Sequence, residues 1–477
     1  MIHLVDFNFV LPLVIIAIGS VLTIMIEIIF RKSQNVVYYF SISCVIAAIA
    51  ASFLKLDVEQ YIFNEFLKVN NSSYVFCVLV LISVLLTLLS SKSYIEKYEI
   101  NFSEFYSVIL FSATGMLTMI FANDLLIIFL GLETMSVCFY ILAGFMRKRP
   151  KSNESSMKYF LLGAFMTGFL LYGISLIYGF TGYTNISKIF INVQNFESPV
   201  FIVGLGLILI GFFFKIGIFP FQMWIPDVYE GSPTTISGLL STSGKIAALG
   251  TIAPIILLQP SFSKFQFIFS ILALLTMLFG NVIAIAQTNI KRLLAFSSIA
   301  SAGYLMVGLA AVNELALKGI MFYLLSYVFM QLGAFILVSV IEKFNSDNRD
   351  FSMVNIADYK GLAKRNPFLA AMLTVFLFSL AGIPPFAGFW GKYYLFYAAI
   401  KSNLIWLSVL AILFSLVSVY YYLRVIVYMW FTDSETIFEE HTPVTAWGSR
   451  LSIIISFTGT IVFGLLPQLF ITLFKLK

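Results

Sequence analysis

Long apolar runs dominate this sequence, and their length constrains the fold more than any other feature. A helix needs about 20 mostly apolar residues to cross the roughly 30 Å hydrocarbon core of a bilayer. Fourteen runs meet this requirement, so the sequence predicts an all-α polytopic membrane protein. The predicted spans are residues 9–30, 36–56, 72–91, 105–121, 124–146, 156–180, 198–219, 234–258, 265–286, 294–312, 317–341, 367–400, 404–431 and 451–474.

The composition excludes several classes of protein. Apolar residues make up 60% of the 477 residues and charged residues 11%, whereas about 25% of a soluble domain is charged. A soluble enzyme, a nucleic-acid binder and a disordered protein are therefore excluded. His3 and His441 lie outside the runs, so no histidine is placed to bind a haem between helices. Cys44, Cys77 and Cys138 lie in apolar runs, which favours packing over a disulfide or a metal site.

The basic residues predict how the chain crosses the membrane. Of those in loops or at span ends, 16 share the side of the loop that follows the first span, and eight lie on the other side. The positive-inside rule places that first loop, with Arg31 and Lys32, in the cytoplasm. We therefore expect both termini outside, on the periplasmic side of the inner membrane in a bacterium. The first run is expected to be a span and not a signal peptide, because no lysine or arginine precedes it.

Six ionisable residues remain inside the apolar runs. An acidic or basic residue costs roughly 2.5–3.5 kcal/mol at the centre of a membrane helix, and such residues usually mark an ion or proton pathway. The sequence therefore predicts a transport function. The six residues are Glu133, Lys158, Lys215, Lys245, Lys392 and Arg424.

Each of these residues also has a structural interpretation. Glu133 could form half of a structural ion pair, and Lys245 could be a structural lysine, although small residues beside it leave room for water. Lys158 lies near the start of its run and could extend to the cytoplasmic surface. Arg424 stays charged at any accessible pH, so we expect it to be an anchor and not a proton carrier.

Two spans are predicted to be broken helices. Pro220, directly after span 7, is expected to free the carbonyl of Ile216 beside Lys215. Pro384 and Pro385 in span 12 are expected to free carbonyls near residues 380 and 381, shortly before Lys392. Alternatively, Lys215 and Lys392 could have a structural role and stabilise the backbone at each break.

The two breaks occupy matching positions in the chain. Span 7 is fourth in the set 4–8 and span 12 is fourth in the set 9–13, and the two sets begin on opposite sides of the membrane. This pattern predicts two inverted five-helix repeats, as in many transporters. The predicted domains are 1–95, a three-helix segment; 105–258 and 265–431, the two repeats; and 449–477, a C-terminal helix.

The loops contribute little further chemistry. The segment 225–235 carries Asp227 and Glu230, and Ser232 or Thr234 is expected to cap the helix that follows. The sequence contains no glycine-rich nucleotide loop, Cys-x-x-Cys motif or nucleophile–base set. We therefore expect that this chain neither binds NADH nor carries electrons.

Several segments resemble the antiporter-like membrane subunits of respiratory complex I. They are FANDLLIIFLGLETMSVCFYILAGF, SSMKYFLLGAF, FKIGIFPFQMWIPDVYEGSPTTISGLLSTSGKIAAL, QTNIKRLLAFSSIASAGY and GIPPFAGFWGKYYLF. They lie between about residues 121 and 396, and the fourteen-span plan extends the resemblance over nearly the whole chain. The WIPDVYEGSPT and GIPPFAGFWGK stretches are the most specific.

The resemblance implies a role for each buried charge. Glu133 would pair with Lys215 and tune its proton affinity, and Lys158 would modulate that pair. Lys245 would be the central relay, and Lys392 the last protonatable site before release. Proton transfer would be driven by a distant quinone-reduction site.

The resemblance also implies cofactors and partners. No cofactor is expected in this chain, and NADH, FMN, iron–sulfur clusters and quinone are expected in other subunits. The expected partners are the lipid bilayer and the other membrane subunits of complex I. One departure is Ser301, where the family often has a histidine, and a hydroxyl does not titrate near neutral pH.

Two alternatives share these features. One is a subunit of a multi-subunit sodium/proton antiporter, and the other is a non-pumping assembly scaffold. The WIPDVYE segment and the Lys392-Tyr393-Tyr394 sequence favour complex I. The chain also ends soon after span 14, without the lateral helix that the resemblance associates with some subunits.

Overall fold

The fold is a bundle of long helices that confirms the predicted class. The computed structural model describes residues 6–30, 34–56, 58–98, 103–191, 196–345, 350–433 and 446–475. Within these ranges, thirteen helical segments are long and apolar enough to cross a membrane. His3, Arg31, Lys32, Arg349 and His441 lie outside the described residues.

The helices account for all fourteen predicted spans, because span 12 is formed by two shorter helices that are not among the thirteen. They are α1 (Asp6–Phe9), α2 (Leu11–Ile29), α3 (Gln34–Phe53), α4 (Asn71–Lys97), α5 (Glu104–Phe121), α6 (Leu125–Ala143), α7 (Pro150–Thr181), α8 (Ile186–Ile189), α9 (Pro199–Ile216), α10 (Trp224–Gly231), α11 (Thr234–Leu258), α12 (Gln266–Ile285), α13 (Ile290–Ala311), α14 (Glu314–Tyr327), α15 (Gly333–Ile341), α16 (Leu362–Arg365), α17 (Pro367–Ala381), α18 (Ala387–Lys401), α19 (Ile405–Phe431), α20 (Trp447–Leu465) and α21 (Gln468–Leu473).

Short irregular elements join or interrupt these helices. A π-helical turn, Val328–Leu332, connects α14 to α15, and 3-10 turns occupy Pro260–Phe265 and Ile356–Tyr359. Two antiparallel hairpins lie in loops. They pair β1 (Gln60–Ile62) with β2 (Leu67–Val69), and β3 (Lys343–Asn345) with β4 (Asp350–Ser352).

Both helix breaks are present. Span 12 is split into α17 and α18, each of 15 residues. Span 7 ends at Ile216, and the short α10 begins at Trp224. Each break contains a glycine in the left-handed conformation, Gly217 with φ +87° and Gly382 with φ +86°. Glycine suits these positions because it lacks a Cβ atom.

Loops that follow odd-numbered spans meet on one face of the bundle. Arg149, after span 5, bonds to Asp350, after span 11, at 2.7 Å. Arg292, after span 9, bonds to Asp227, after span 7, at 2.9 Å. We call this surface the basic face. The contacts confirm that these loops share one side.

Loops that follow even-numbered spans meet on the opposite face. Lys188, after span 6, pairs with Glu65, after span 2, at 3.0 Å. Asn313, after span 10, donates to Ser402, after span 12, at 2.8 Å. The alternation of sides that the sequence predicted is therefore present in the fold.

The core of the bundle consists of α11, α13 and the continuous segment α14–α15. Nearly all residues of these helices are buried, whereas α2, α7 and α19 expose much of their surface. Lys245 lies in the middle of α11. The fold therefore places this residue deep inside the bundle, with no exposed side-chain surface.

Glycines bring two equivalent helix pairs into close contact. An added Cβ at Gly115 of α5 would lie 2.5 Å from the backbone nitrogen of Met135 in α6. An added Cβ at Gly280 of α12 would lie 2.5 Å from the backbone nitrogen of Ala300 in α13. Small residues allow such close packing in membranes, where burial of apolar surface drives little association.

We predict that Gly115→Ala lowers stability in detergent by about 1–3 kcal/mol, because the methyl group would overpack the α5–α6 contact. Gly168→Ala is the matched control, since an added Cβ there meets no atom within 4 Å. Thermal unfolding followed by circular dichroism measures both variants. Equal melting temperatures for the two variants would contradict the close-packing account.

Candidate functional site

Three of the predicted lysines lie deep inside the bundle. The exposed fractions of Lys215, Lys245 and Lys392 are 5%, 0% and 4%. They belong to α9, α11 and α18. The first two helices are long and apolar enough to cross a membrane, and α18 is the second half of the broken span 12. Buried charges in membranes need protein partners, and they usually mark a functional pathway.

Lys215 lies among aromatic rings at the end of α9. Its Nζ donates to the Oη of Tyr140 at 3.3 Å and lies 5.2 Å from the Tyr159 ring centroid. Trp224 of α10 stacks on Tyr159, with ring centroids 4.3 Å apart. Cation–π attraction stabilises an ammonium group in such surroundings.

The carbonyl of Ile216 accepts none of the backbone hydrogen bonds described at the first break, as predicted. Because Gly217 ends the helix, Pro220 lies beyond α9 instead of inside it. The freed carbonyl that finds a partner belongs to Phe214, which accepts from the indole N–H of Trp224 at 2.9 Å.

Glu133 lies near Lys215 without direct contact. The two side chains interact electrostatically, but they form no ion pair within 4 Å in the described structure. The Oε1 atom of Glu133 is buried without a hydrogen-bond partner among the described residues. Tyr140, which bonds to Lys215, lies two turns further along α6, about 10 Å from Glu133 along the axis.

Lys158 extends to the basic face, which agrees with the structural role suggested for it from the sequence. Its side chain is 43% exposed, and it pairs with Glu154 at 2.7 Å and with Asp227 at 2.8 Å. The neighbouring Tyr159 packs against Lys215. Lys158 therefore connects to the Lys215 site through α7 and α10, not through contact with Glu133.

Lys245 joins α11 to α13. Its Nζ donates to the backbone carbonyl of Ser298 and, at 2.6 Å, to the Oγ of the same residue. The ring centroid of Tyr327 lies 5.5 Å from the amine. Tyr327 directly precedes the π-helical turn, a type of irregularity that is frequent at functional sites.

Lys392 stabilises the second break. Its Nζ donates to the carbonyl of Ala381 and to the Oγ of Ser415, each at 2.8 Å. Ala381 is the last residue of α17, so its carbonyl is one of those predicted to be freed. The ring centroid of Tyr304 lies 4.8 Å from the amine.

Sequence reasoning missed a row of tyrosines between Lys245 and Lys392. The rings of Tyr323 and Tyr327 stack 6.1 Å apart, and the Tyr323 hydroxyl faces Ser301. The hydroxyls of Tyr304, Tyr323 and Tyr327 are buried without a hydrogen-bond partner among the described residues. Buried hydroxyls are normally bonded to protein or to water. The four-residue spacing of Tyr323 and Tyr327 within an apolar run was the available signal.

Arg424 acts as the predicted anchor. Its guanidinium group donates to the carbonyl of Ile285 at 2.9 Å and to that of Gln287 at 2.5 Å. Both carbonyls lie at the C-terminal end of α12, where the helix leaves acceptors unpaired. The side chain thus ties α19 to α12.

The predicted cap of span 8 is wrong. Pro233 occupies the N-cap position of α11 and has no side-chain donor or acceptor. Ser232 instead donates to the carbonyl of Val228 at 2.6 Å. Thr234 donates to a carboxylate oxygen of Glu342 at 2.7 Å. This last contact links α11 to a buried acid that the sequence did not single out.

Asp227 holds α10 in place on the basic face. It accepts from Lys158 at 2.8 Å and from Arg292 at 2.9 Å. Burial alone would raise the pKa of Asp227, but these two bonds and charges outweigh it and hold the pKa below its usual value. Since α10 carries Trp224, these ion pairs also position the Lys215 site.

The described residues offer no metal site, because they contain no group of three or more His, Cys, Asp or Glu side chains that could hold an ion. The site therefore consists of amines, hydroxyls, a carboxylate and freed carbonyls. The amines, hydroxyls and carboxylate can exchange protons, and the carbonyls can accept hydrogen bonds.

Comparison with known proteins first defines the class. A family profile described as "NADH:quinone oxidoreductase/Mrp antiporter, TM" matches residues 122–418. NADH-quinone oxidoreductase subunit N of Trichlorobacter lovleyi is 41% identical over 471 residues, which is 98% of this chain and 95% of the relative. The chain belongs to the family of NADH-quinone oxidoreductase subunit N.

Solved structures share the fold. Respiratory complex I from Thermus thermophilus contains a chain with 32% identity and a TM-score of 0.82, and the match covers 96% of this chain and 98% of that one. The Mrp complex from Dietzia sp. DQ12-45-1b contains a chain with 18% identity and a TM-score of 0.83, covering 99% and 96%. The second likeness concerns the fold alone.

We predict that the ion pairs of Asp227 stabilise the protein at neutral pH and lose this effect in acid. A carboxyl with a lowered pKa in the folded state contributes stability above its unfolded pKa, and loses it as the pH falls through the folded pKa. Asp227→Asn should therefore cost about 0.5–1 kcal/mol at pH 7 after solvent screening. The cost should shrink as the pH falls below about 4.

Thermal unfolding in detergent as a function of pH measures this effect. Glu59→Gln is the control, because Glu59 forms only an exposed pair with Lys68 at 3.5 Å. A stability difference between Asp227→Asn and the parent protein that does not change with pH would contradict the prediction.

Proposed function

We propose that this chain is a proton-translocating subunit in the membrane arm of an NADH:quinone oxidoreductase. The observation that carries the proposal is the set of three buried lysines, each held by oxygen acceptors inside a bundle of this family. Its partners are the other membrane subunits of the complex and the lipid bilayer. NADH, FMN, the iron–sulfur clusters and quinone are bound by other subunits, and quinone reduction there drives proton transfer here.

The proton moves along the middle of the bundle from Lys215 to Lys245 and then to Lys392. A lysine enclosed in a low-dielectric interior releases its proton more readily than one in water, and a nearby carboxylate opposes the release. The hydroxyls of Tyr327, Tyr323 and Tyr304, with intervening water, connect the last two amines. Moving one charge against 100 mV costs about 2.3 kcal/mol, which a change in local electrostatics can supply.

Glu133 acts as a movable partner of Lys215. One of its carboxylate oxygens is buried without a hydrogen-bond partner among the described residues, so no bond of that oxygen opposes a movement. A shift of α6 that brings Glu133 closer would favour the protonated amine, and a retreat would favour release. Lys158 modulates this pair through Asp227 and α10, to which it is bonded.

The basic face is the cytoplasmic face, and both termini lie in the periplasm. The excess of basic residues on this face supports the orientation. We also propose the two inverted repeats at 105–258 and 265–431, flanked by 1–95 and 449–477. The matching breaks and the matching glycine contacts of α5 with α6 and of α12 with α13 support the repeats.

The sodium/proton antiporter is the alternative function. The chain shares only its fold with the Mrp complex. By contrast, it shares 41% sequence identity with a subunit N over 471 residues. Co-migration of the chain with NADH dehydrogenase activity on a blue-native gel distinguishes the two functions. Migration apart from that activity would favour the antiporter or the scaffold.

We predict that Lys245→Ala lowers proton pumping at least several-fold in the assembled, reconstituted complex, because the central amine is removed. Lys264→Ala is the control and should pump normally, because Lys264 is exposed in the 3-10 turn Pro260–Phe265. Quenching of a pH-sensitive dye in proteoliposomes measures pumping, and a blue-native gel verifies assembly. Full pumping by an assembled Lys245→Ala complex would contradict the relay.

We predict that Glu133→Gln lowers pumping and coupled electron transfer together, because the neutral amide no longer changes the proton affinity of Lys215. Thr134→Ala is the control, since Thr134 is the exposed neighbour of Glu133 on the same helix. NADH oxidation and dye quenching are recorded on the same vesicles. If both rates stay at the parent level, Glu133 is not a switch.

A further inference from the structure

A second buried acid lies near the basic face, outside the path described above. Glu342 follows α15 and is 0% exposed. One carboxylate oxygen accepts from the hydroxyl of Thr234 at 2.7 Å. The other oxygen is buried without a hydrogen-bond partner within the described ranges. A buried carboxylate needs hydrogen bonds or nearby cations to offset the loss of its hydration.

Basic and phenolic groups surround this carboxylate from three sides. Lys97, the last residue of α4, and Tyr98, which follows it, donate to the backbone carbonyl of Glu342. The groups that act on the carboxylate electrostatically are Tyr94 and Lys97 of α4, Tyr98 after it, Lys291 of α13, and Tyr359 of the 3-10 turn. Arg149 in turn acts on Lys291. The carboxylate, these cations and these phenols therefore form one buried cluster near the basic face.

The acid lies at the end of the two helices that hold the central amine. Thr234 is the first residue of α11, and Lys245 follows eleven residues later, about 16 Å along the axis. Lys291 lies at the start of α13, seven residues before Ser298. Its Nζ donates to the carbonyl of Ser232 at 2.8 Å. The cluster therefore occupies the basic-face end of the α11–α13 contact.

Several polar atoms without a hydrogen-bond partner among the described residues lie between Glu342 and Lys245. Thr235 Oγ1, Tyr229 Oη and Gln331 Oε1 are all buried without a hydrogen-bond partner in the part of the chain that the structure describes. Tyr229 faces Ser298, the residue that binds Lys245. Gln331 lies in the π-helical turn, and its amide donates to α13 at the carbonyl of residue 294, at 3.1 Å.

We propose that Glu342 takes up protons at the basic face and passes them to Lys245. The proton binds the carboxylate, moves along the hydroxyls of Thr235, Tyr229 and Ser298 with intervening water, and reaches the amine. The carboxylate then returns to its charged form, and no other bond changes. This inference rests on the proposed relay through Lys245 and adds a branch that feeds it from the side.

Glu342→Gln in the assembled complex tests the proposal. The amide keeps the size of the side chain and can still accept from Thr234, but it binds no proton. Coupled NADH oxidation and dye quenching in proteoliposomes should fall several-fold. The loss should deepen as the pH on the basic-face side rises, because the remaining uptake then depends on scarcer protons. Glu342→Asp should recover part of the rate.

Glu96→Gln is the matched control, since Glu96 is an exposed carboxylate near the same end of α4. It should leave both the rate and the pH profile unchanged. Thr235→Val serves as a second variant, because it removes one hydroxyl of the route with little change of volume. If Glu342→Gln fails to assemble, the pH profile of Thr235→Val decides the question, and a normal profile overturns the proposal.

Lys245→Ala is measured beside these variants. If Lys245→Ala pumps normally, the proposed function itself fails. If Lys245→Ala abolishes pumping while assembled Glu342→Gln keeps the parent rate and pH profile, only the uptake route is overturned.

Discussion

The bonds between buried lysine amines and the oxygen atoms of neighbouring helices are the interactions on which the rest of this structure depends. Lys245 is held by Ser298, and Lys392 is held by Ala381 and Ser415. In a bilayer, a polar group without a partner costs several kcal/mol. The helices that supply these partners must therefore pack around the amines. This requirement explains why α11 and α13 lie in the core.

The backbone at the broken helices has the same need for hydrogen-bond partners. A break exposes carbonyl groups that no residue of the helix can bond, and such backbone survives only where protein or water satisfies it. At the second break, Lys392 itself takes the freed carbonyl of Ala381. At the first break, the indole of Trp224 takes the carbonyl of Phe214. The partners of Lys215 are therefore the Tyr140 hydroxyl and the surrounding aromatic rings, not the freed carbonyl.

Sequence alone predicted the spans, the breaks and the buried lysines, because length, proline and charge are local signals. It did not place the ends of the breaks, since the position of Gly217 and not that of Pro220 decides where α9 stops. It also missed the tyrosine row and Glu342. These residues look like ordinary apolar-run and loop residues until the fold brings Tyr323 beside Ser301, and Glu342 beside Thr234. Contacts between distant segments carry no local signal.

We propose that a continuous hydrated route joins the buried amines. Ordered water is visible in a high-resolution cryo-electron microscopy map, so such a map of the assembled complex tests this route. We expect water within about 3 Å of the hydroxyls of Tyr304, Tyr323 and Tyr327, bridging Lys245 to Lys392. A dry interval between these two amines, packed with apolar side chains at that resolution, would contradict it.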